Sequence, residues 1–212
     1  MSTPLRALLL STILGIAASA QAQVNIVNYD FGAVGIACGN GYAYQGAVLS
    51  CPYGYNTQDF DQSPGFGWIL GHTVARQLAL TSLEGGSGLT GPNTIFFPPP
   101  FTGMPFSQAV FLQDQGSFVW QAVSFAAGSY TLSFYLGSRY WDGPDNGDQT
   151  VEALIDGQVV GTWAMSSYTP FTLQTAEFTV GNGGYHTVEF LGMNAGDHTA
   201  FLSYVTITTA GH

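Results

Sequence analysis

Glycine and proline are spaced so closely along this chain that no helix of two turns has room to form. The 212 residues include 28 glycines and 10 prolines, which interrupt every candidate helical stretch. Between them lie about ten short runs rich in apolar, aromatic and threonine residues, as is typical of β-strands. These runs cover residues 24–31, 67–71, 107–113, 117–125, 129–138, 150–156, 158–165, 171–180, 186–193 and 199–208.

Several runs alternate apolar and polar residues with a period of two, which places one set of side chains in a core. In run 199–208 this alternation places Phe201 on the same side as Val205 and Ile207. Asp156-Gly157, between two apolar runs, favours a tight hairpin. The pattern predicts an all-β fold, an antiparallel two-sheet sandwich.

Two long stretches do not read as strands. Residues 32–65 are rich in glycine and tyrosine, and residues 84–106 contain a proline triplet. Because proline cannot donate to a central ladder, the second stretch is predicted to be a loop. We expect its Phe101 and Phe106 to cap the open end of the core. No internal repeat or linker is present, so residues 23–212 are predicted to form a single domain.

The first 22 residues have the pattern of a secretory signal peptide. Arg6 supplies a positive charge, an apolar segment follows over residues 7–18, and small residues precede a cleavage point after Ala22. The apolar segment is short for a bilayer span. The mature protein is therefore predicted to be secreted or periplasmic, with no membrane insertion after cleavage.

Export makes a disulfide between Cys38 and Cys51 the expected state of the two cysteines. No histidine or lysine lies between them to activate a reactive thiol. Closing this short loop is worth about 3 kcal/mol in the chain-entropy model.

The charge balance restricts the partners. The chain has 3 lysine and arginine residues against 13 acidic residues, a formal net charge of −10. An acidic surface repels phosphate backbones, so nucleic acid is excluded as the expected partner. A neutral ligand, or one bridged by a cation, fits better.

Several phrases in order resemble a known group of domains. They are "GW" (67–68), "GSGL" (86–89), "AVFLQDQGSFVWQAVSFAAGSYTLSFYLGSR" (109–139), "QTVEALIDGQVVGTW" (149–163) and "GGYHTVEFLGMNAGDHTAFLSYVTI" (183–207). Together they are similar to bacterial secreted jelly-roll domains of the galactose-binding-like group, which are related to carbohydrate-binding modules and to the plant cell-wall domain of unknown function. The resemblance implies an antiparallel two-sheet jelly-roll sandwich that binds sugars without cleaving them.

The same resemblance implies a structural calcium ion near the chain ends. This chain keeps Asn28 and Asp30 of the usual N-terminal ligand stretch. It has Gly32 where the group usually has glutamate, and Ser203 where it has aspartate. Calcium needs six or more oxygens, commonly including carboxylates. Calcium at Asn28 and Asp30 is therefore an open expectation, and no other cofactor is expected.

A sugar site needs an aromatic platform beside planar hydrogen-bonding groups. Arg139, Tyr140 and Trp141 supply both within three consecutive residues, so they are the predicted site for a polysaccharide or other glycan. The proposed ligand is neutral or contains uronic acid. Three further polar side chains are expected to join them at a face or end of the sandwich: Gln113, Asn194 and His198.

Plainer alternatives apply to the same loop. Arg139 could instead pair with Glu152 or Asp148 across a hairpin, and His198 could cap its own loop. Asp142, Asp145 and Asp148 recur at every third residue, which does not match a calcium loop. A solvated hairpin tip also explains these aspartates, because Asp is favoured in turns.

Catalysis has little support in the sequence, and the protein is predicted not to be an enzyme. Glu152 and Glu189 are the candidate pair for glycoside hydrolysis, but no nucleophile elbow or paired-histidine metal motif is present. The tryptophans in strand-like runs are expected to lie in the core: Trp68, Trp120 and Trp163. Trp120 is excluded from any binding site, because it shares a face with Phe118 and Ala122. A structural or adhesive protein that binds other proteins is the main alternative function, and a glycoside hydrolase is the third.

Overall fold

A computed structural model describes residues 22–33, 41–45, 57–58, 65–72, 86–91, 98–139 and 148–210. These residues form thirteen strands and no helix, which confirms the predicted all-β class. The strands are β1 (Gln23–Val24), β2 (Tyr42–Gln45), β3 (Thr57–Gln58), β4 (Ile69–His72), β5 (Gly86–Thr90), β6 (Ala109–Gln113), β7 (Ser117–Phe125), β8 (Gly128–Ser138), β9 (Thr150–Ile155), β10 (Gln158–Ala164), β11 (Thr172–Val180), β12 (Gly184–Gly192) and β13 (Thr199–Thr209).

The strands form the two sheets of a sandwich, as predicted. The larger sheet has the order β11-β8-β13-β6-β5-β2-β3, with β1 also paired to β13. The smaller, five-stranded sheet has the order β10-β9-β12-β7-β4. All described pairs are antiparallel except β2 with β3.

The main core lies between the sheets, where alternate residues of each strand point inward. On β8 the buried side chains are at the even positions from Tyr130 to Leu136, as the alternation predicts. The ring of Phe134 lies 4.8 Å from that of Trp163 and 4.9 Å from that of Phe190, which links the two sheets. Trp68 is 1% exposed, so the predicted core placement is confirmed for Trp68 and Trp163.

The predicted faces of β13 are wrong over its first half. Phe201 does not share a face with Val205 and Ile207, because the pairing with β8 shifts register between Ser203 and Thr206. Tyr204 has a φ of 56° at this bulge. An extra residue in one strand reverses the alternation, so Phe201 points away from the main core.

The predicted loop at 84–106 is wrong in its first part, because Gly86–Thr90 is strand β5. This strand pairs with β6 on one side and β2 on the other. The prolines lie beyond Thr90, so they remove no donor from its ladder.

The prediction that Phe101 and Phe106 cap the end of the core is wrong. They pack on the outer face of the larger sheet, in a second buried cluster with Phe111, Phe171 and Phe201. The Phe106 ring lies 5.0 Å from that of Phe171. The bulge in β13 explains this cluster, because it turns Phe201 toward the outer face.

The run predicted as a strand at 24–31 is mostly a turn, since β1 ends at Val24. Asn28 and Phe31 have positive φ angles of 51° and 58°. The Asn28 Oδ1 accepts a hydrogen bond from the Ala33 amide at 2.8 Å, which closes the turn. Phe31 is thereby buried against the Trp68 ring.

Cys38, Cys51, Tyr140 and Trp141 lie outside the described residues, as do residues 1–21. The disulfide, the signal peptide at 1–22 and the domain boundaries at 23–212 stay predictions. None of the described residues forms a helix of the length and hydropathy needed to cross a bilayer.

Candidate functional site

Arg139, the centre of the predicted sugar site, follows the last residue of β8 and is 9% exposed. Its Nη1 lies 2.5 Å from the Oδ1 of Asp197. Gln113 Nε2 donates to the same oxygen. The predicted neighbours Arg139 and Gln113 therefore do meet, through an aspartate that the sequence analysis did not select. Among the described residues, the carboxylate that pairs with Arg139 is Asp197 and not Asp148 or Glu152, so that part of the alternative is wrong.

Asn194 and His198 lie at the same end of the sandwich, in the loop between β12 and β13. The buried side chain of Gln149 holds this loop. Its Oε1 accepts from the amides of Asn194 at 2.6 Å and Met193 at 3.0 Å, and its Nε2 donates to the His198 carbonyl at 3.0 Å. No motif marks Gln149 in the sequence, because its role depends on a loop far away along the chain.

The other polar groups at this end of the sandwich also bind one another. Together with Arg139, Gln113 and Asp197 they are called the end cluster. The Asn194 Nδ2 donates to the Asp148 carbonyl at 2.6 Å, and the His198 ring pairs with the Asp148 carboxylate. Asp114 accepts from the Gly196 amide at 2.8 Å. These contacts fix the loop. Sugar binding by Arg139, Gln113, Asn194 and His198 stays a prediction.

Asn28 and Asp30, the predicted calcium ligands, already use their oxygens within the chain. The Asn28 carbonyl accepts from the Trp68 indole at 3.0 Å, and the Asp30 carboxylate accepts from the Gly32 amide at 3.1 Å. Ser203 Oγ lies 3.3 Å from the Asp30 carbonyl and 2.8 Å from the Gln108 carbonyl. A calcium ion here would have to replace several of these bonds, so the donor set fits it poorly. Calcium binding stays a prediction.

The outer face of the smaller sheet carries side chains of a different kind, and we call it the open face. Alternate residues of β4, β7, β9, β10 and β12 point away from the main core here. One row across the sheet contains Ile69, Trp120, Glu189, Leu154 and Val159. The next row contains Gly71, Phe118, Leu191, Glu152 and Thr162.

Trp120 is half-buried on this face, so its predicted core placement is wrong. On β7 the core positions belong to Val119, Val123 and Phe125, which alternate with Trp120. Exposed apolar side chains flank the tryptophan row, since Ile69 is 38% exposed and Val159 is 52% exposed. An indole therefore lies on a partly solvated sheet surface.

Two carboxylates share the open face with this indole. Glu189 stands directly between Trp120 and Leu154 in its row, and burial raises the pKa of Glu189 above its ordinary value. Glu152 is the diagonal neighbour of Glu189 across the β12–β9 pair. Diagonal residues on one face of an antiparallel pair are about 7–8 Å apart. Within the described residues neither carboxylate has a hydrogen-bond or ion-pair partner.

A second exposed aromatic residue extends the open face along β12. Tyr185 is 81% exposed and shares the outward parity of Glu189. The four residues that separate their rows correspond to about 13 Å along a strand. The open face thus has aromatic rings near both ends of its central strand.

At one edge of the sandwich, a cleft of about 420 Å³ opens beside β10 and β11. Its walls include Val160 and Phe178, and His186 and Asp156 lie at its rim. The hydrogen bond that His186 donates to the Asp156 carboxylate raises the pKa of His186. The hydrogen bonds that Asp156 accepts from the His186 ring and from the Thr187 amide lower the pKa of Asp156. This pair joins the β9–β10 hairpin to the β11–β12 hairpin.

These features define an all-β sandwich with an aromatic and carboxylate surface on its smaller sheet. No family model matches the chain, and no curated protein matches its sequence. Solved structures do share the fold. A Stig cyclase from Fischerella sp. TAU, in complex with (3Z)-3-(1-methyl-2-pyrrolidinylidene)-3H-indole, has a TM-score of 0.60 at 15% identity, over 90% of this chain and 98% of the cyclase.

Two further structures belong to other classes of protein. The K1 cleaved adhesin domain of Lys-gingipain from Porphyromonas gingivalis W83 has a TM-score of 0.50 at 10% identity, over 72% of this chain and 96% of that domain. A carbohydrate-binding module from Cellvibrio mixtus lichenase 5A, in complex with cellotriose, has a TM-score of 0.39 at 20% identity, over 54% of this chain and 85% of the module. At such identities the likeness to the cyclase and to the adhesin domain defines a shared architecture and leaves function to the site.

Proposed function

We propose that this protein binds carbohydrate without cleaving it, and that the open face is the binding surface. The observation that carries the proposal is the position of Trp120 on a partly solvated sheet, directly beside Glu189. Sugars present apolar C–H faces, which pack on aromatic rings. They also present hydroxyls, which donate hydrogen bonds to carboxylates. The open face offers both kinds of contact in adjacent positions.

The carboxylates of the open face are well suited to receive ligand hydroxyls. Glu152 and Glu189 have no partner among the described residues, so ligand donors would not compete with an internal bond. The end cluster differs in this respect, because Arg139 Nη1 and Gln113 Nε2 already bind Asp197. The open face is therefore favoured over the predicted site at Arg139.

The extent of the aromatic surface favours a polymer as the ligand. The rows of Trp120 and Tyr185 are about 13 Å apart along the strand direction, which exceeds the width of one sugar ring. A chain of several units that lies along β12 would contact both residues. The proposal includes export of the protein and the absence of catalysis. The polysaccharide that it binds would then be an extracellular or cell-wall polymer.

A pull-down with insoluble polysaccharides and a glycan array test the proposal. Trp120→Ala and Phe118→Ala should be lost from the bound fraction, whereas Tyr29→Ala is the matched control. Tyr29 is 39% exposed and packs against Tyr204, outside the open face. If both open-face variants bind every glycan as well as the wild type does, the proposed surface is wrong. Circular dichroism establishes that each variant is folded.

Glycoside hydrolysis is the second candidate, and the geometry of Glu152 and Glu189 favours it specifically. Two carboxyls across one bond, one with a raised pKa, are the usual requirement for this reaction. Glu189 would be the acid and Glu152 the base. Release of reducing ends by the wild type, abolished by Glu189→Gln, would establish the hydrolase and overturn the non-catalytic proposal.

A further inference from the structure

We infer that the open face selects glycans whose units carry protonated amines, such as deacetylated amino-sugar polymers, over neutral and acidic glycans. This inference rests on the proposed function and names the ligand class for the same surface. It follows from the charges of the open face and from their surroundings.

The open face contains negative charge that no described residue compensates with an ion pair. Glu152 and Glu189 are its charged residues within the described part of the chain, and neither has an ion-pair partner there. Their cross-strand neighbours are apolar residues or threonine: Trp120, Leu154, Leu191 and Thr162. Partial burial among such neighbours removes some of the hydration that would stabilise the charge of Glu189.

Three aspartates of the described chain do have ion-pair partners, whereas Glu177, on the exposed side of β11, has none. Asp197 binds Arg139, Asp156 binds His186, and Asp148 lies against the His198 ring. Arg139 is the only lysine or arginine among the described residues, and Asp197 holds it at the far end of the larger sheet's β8. Among the described residues, no other lysine or arginine is left to neutralise the two open-face glutamates, which differ from the exposed Glu177 in being only partly exposed.

An ammonium group can interact with both kinds of side chain on this surface, the carboxylates and the indole. It forms charge-assisted hydrogen bonds with carboxylates, and it is attracted to the face of an indole ring. Burial raises the pKa of Glu189, so the free protein holds that charge at a cost which a bound cation would relieve. A polymer with one amine per ring could contact both carboxylates while its rings pack on Trp120.

The overall charge disfavours the acidic alternative. The chain has a formal net charge of −10, and a glycan rich in uronic acid or sulfate would bring further negative charge next to Glu152 and Glu189. Like charges close together repel one another. The expected ligand class therefore differs from the neutral or uronic-acid polymers proposed from the sequence.

The test compares chitin oligosaccharides with deacetylated oligosaccharides of the same length by isothermal titration calorimetry at mildly acidic pH, where the amines are protonated. The two differ only in that an acetamide replaces each amine. We expect the deacetylated oligomer to bind the wild type at least about tenfold more tightly, as charge-assisted bonds would provide. Added salt should weaken this binding selectively, because the carboxylates are partly exposed.

Two isosteric variants and one control connect the preference to the open face. Glu152→Gln and Glu189→Gln should each reduce the preference and leave binding of the acetylated oligomer in place. Glu177→Gln, on the exposed side of β11 in the larger sheet, should keep it. If Glu177→Gln reduces the preference equally, the effect is one of net charge, and the inference is overturned.

The outcomes separate the inference from the proposed function. Equal binding of both oligomers by the wild type overturns the amine preference and leaves carbohydrate binding intact. Failure to bind any glycan, in the array as well as here, removes the proposed function itself. Full displacement of the deacetylated oligomer by oligolysine of equal charge would show a general cation-binding or peptide-binding face, and would overturn the amino-sugar inference.

Discussion

His186 and Asp156 join the β9–β10 hairpin to the β11–β12 hairpin at one edge of the sandwich. The His186 Nδ1 lies 2.5 Å from Asp156 Oδ2, and its Nε2 lies 3.0 Å from the Asn182 carbonyl. Both ring nitrogens thus face acceptors, which is the arrangement of an imidazolium that donates two hydrogen bonds. The Asp156 Oδ1 also accepts from the Thr187 amide at 2.9 Å.

The pair should make stability depend on pH in a defined window. Because the His186 pKa is raised above 6.5, its contribution is present below that pH and is lost as the pH rises through the folded pKa. The Asp156 pKa is lowered from 3.8, so its contribution is present above that pH and is lost as the pH falls. The difference in melting temperature between the wild type and His186→Asn should be largest between these limits. A difference that is constant with pH would contradict the ion pair.

Glu189→Gln should stabilise the protein at neutral pH while it weakens ligand selection. A carboxyl with a raised pKa in the folded state, as here, contributes a destabilisation that is present once the pH exceeds its ordinary value of 4.5. Gln removes the charge and retains the shape. Thermal unfolding at neutral and at acidic pH measures the effect, with Glu177→Gln as the control. Equal melting temperatures for the wild type and Glu189→Gln at both pH values would show that burial of the charge costs nothing.

Gly71→Ala should disturb the open face without any change in the main core. A Cβ at residue 71 would lie 2.5 Å from the Cζ of Phe118, so the ring rests on the glycine. Overpacking of this kind costs about 1–3 kcal/mol unless the ring moves away. We expect weaker glycan binding together with a lower midpoint of denaturant unfolding. Gly181→Ala is the control, because a Cβ there meets nothing within 4 Å.

Gln149→Ala should loosen the loop that carries Asn194 and His198. The variant removes three hydrogen bonds. The Met193 amide keeps the Thr150 carbonyl and the His198 carbonyl keeps the Asp114 amide, so the Asn194 amide is the group that loses its partner. A polar group without a partner costs about 1–3 kcal/mol, and urea unfolding should show a loss in that range, against almost none for the exposed control Gln158→Ala. Rapid amide exchange at residues 193 and 194 would locate the change.

Alternation predicts the faces of a strand only where its two sides differ in polarity. On β8 the contrast between Leu132 and Ser133 is clear, and the core face follows from the sequence. On β7, Val119 and Trp120 are both apolar, so the pattern does not show which one enters the core. The two sides are distinguished only once β4 and β12 pair with β7.

Features that depend on backbone irregularity or distant partners lie beyond a single-sequence prediction. The bulge at Tyr204 reverses the faces of β13, although the residues before it keep a regular pattern. Arg139 and Asp197 are separated by 58 residues, and their pairing requires the ends of β8 and β13 to lie side by side. The sequence could place Arg139 at a strand end, but it could not show that a carboxylate already holds it.

Arg139→Met provides the decisive comparison between the end cluster and the open face. Methionine retains the aliphatic stem but removes the contact with Asp197, whose side chain is 42% exposed. Since solvent screens that carboxylate, the expected loss of stability is about 1–2 kcal/mol, below the cost of breaking a fully buried pair. Glycan affinity should change by less than about twofold, because no ligand contact is removed. If Arg139→Met abolishes binding while Trp120→Ala retains it, the ligand lies at the end cluster, and the sugar site predicted from Arg139, Tyr140 and Trp141 is the correct one.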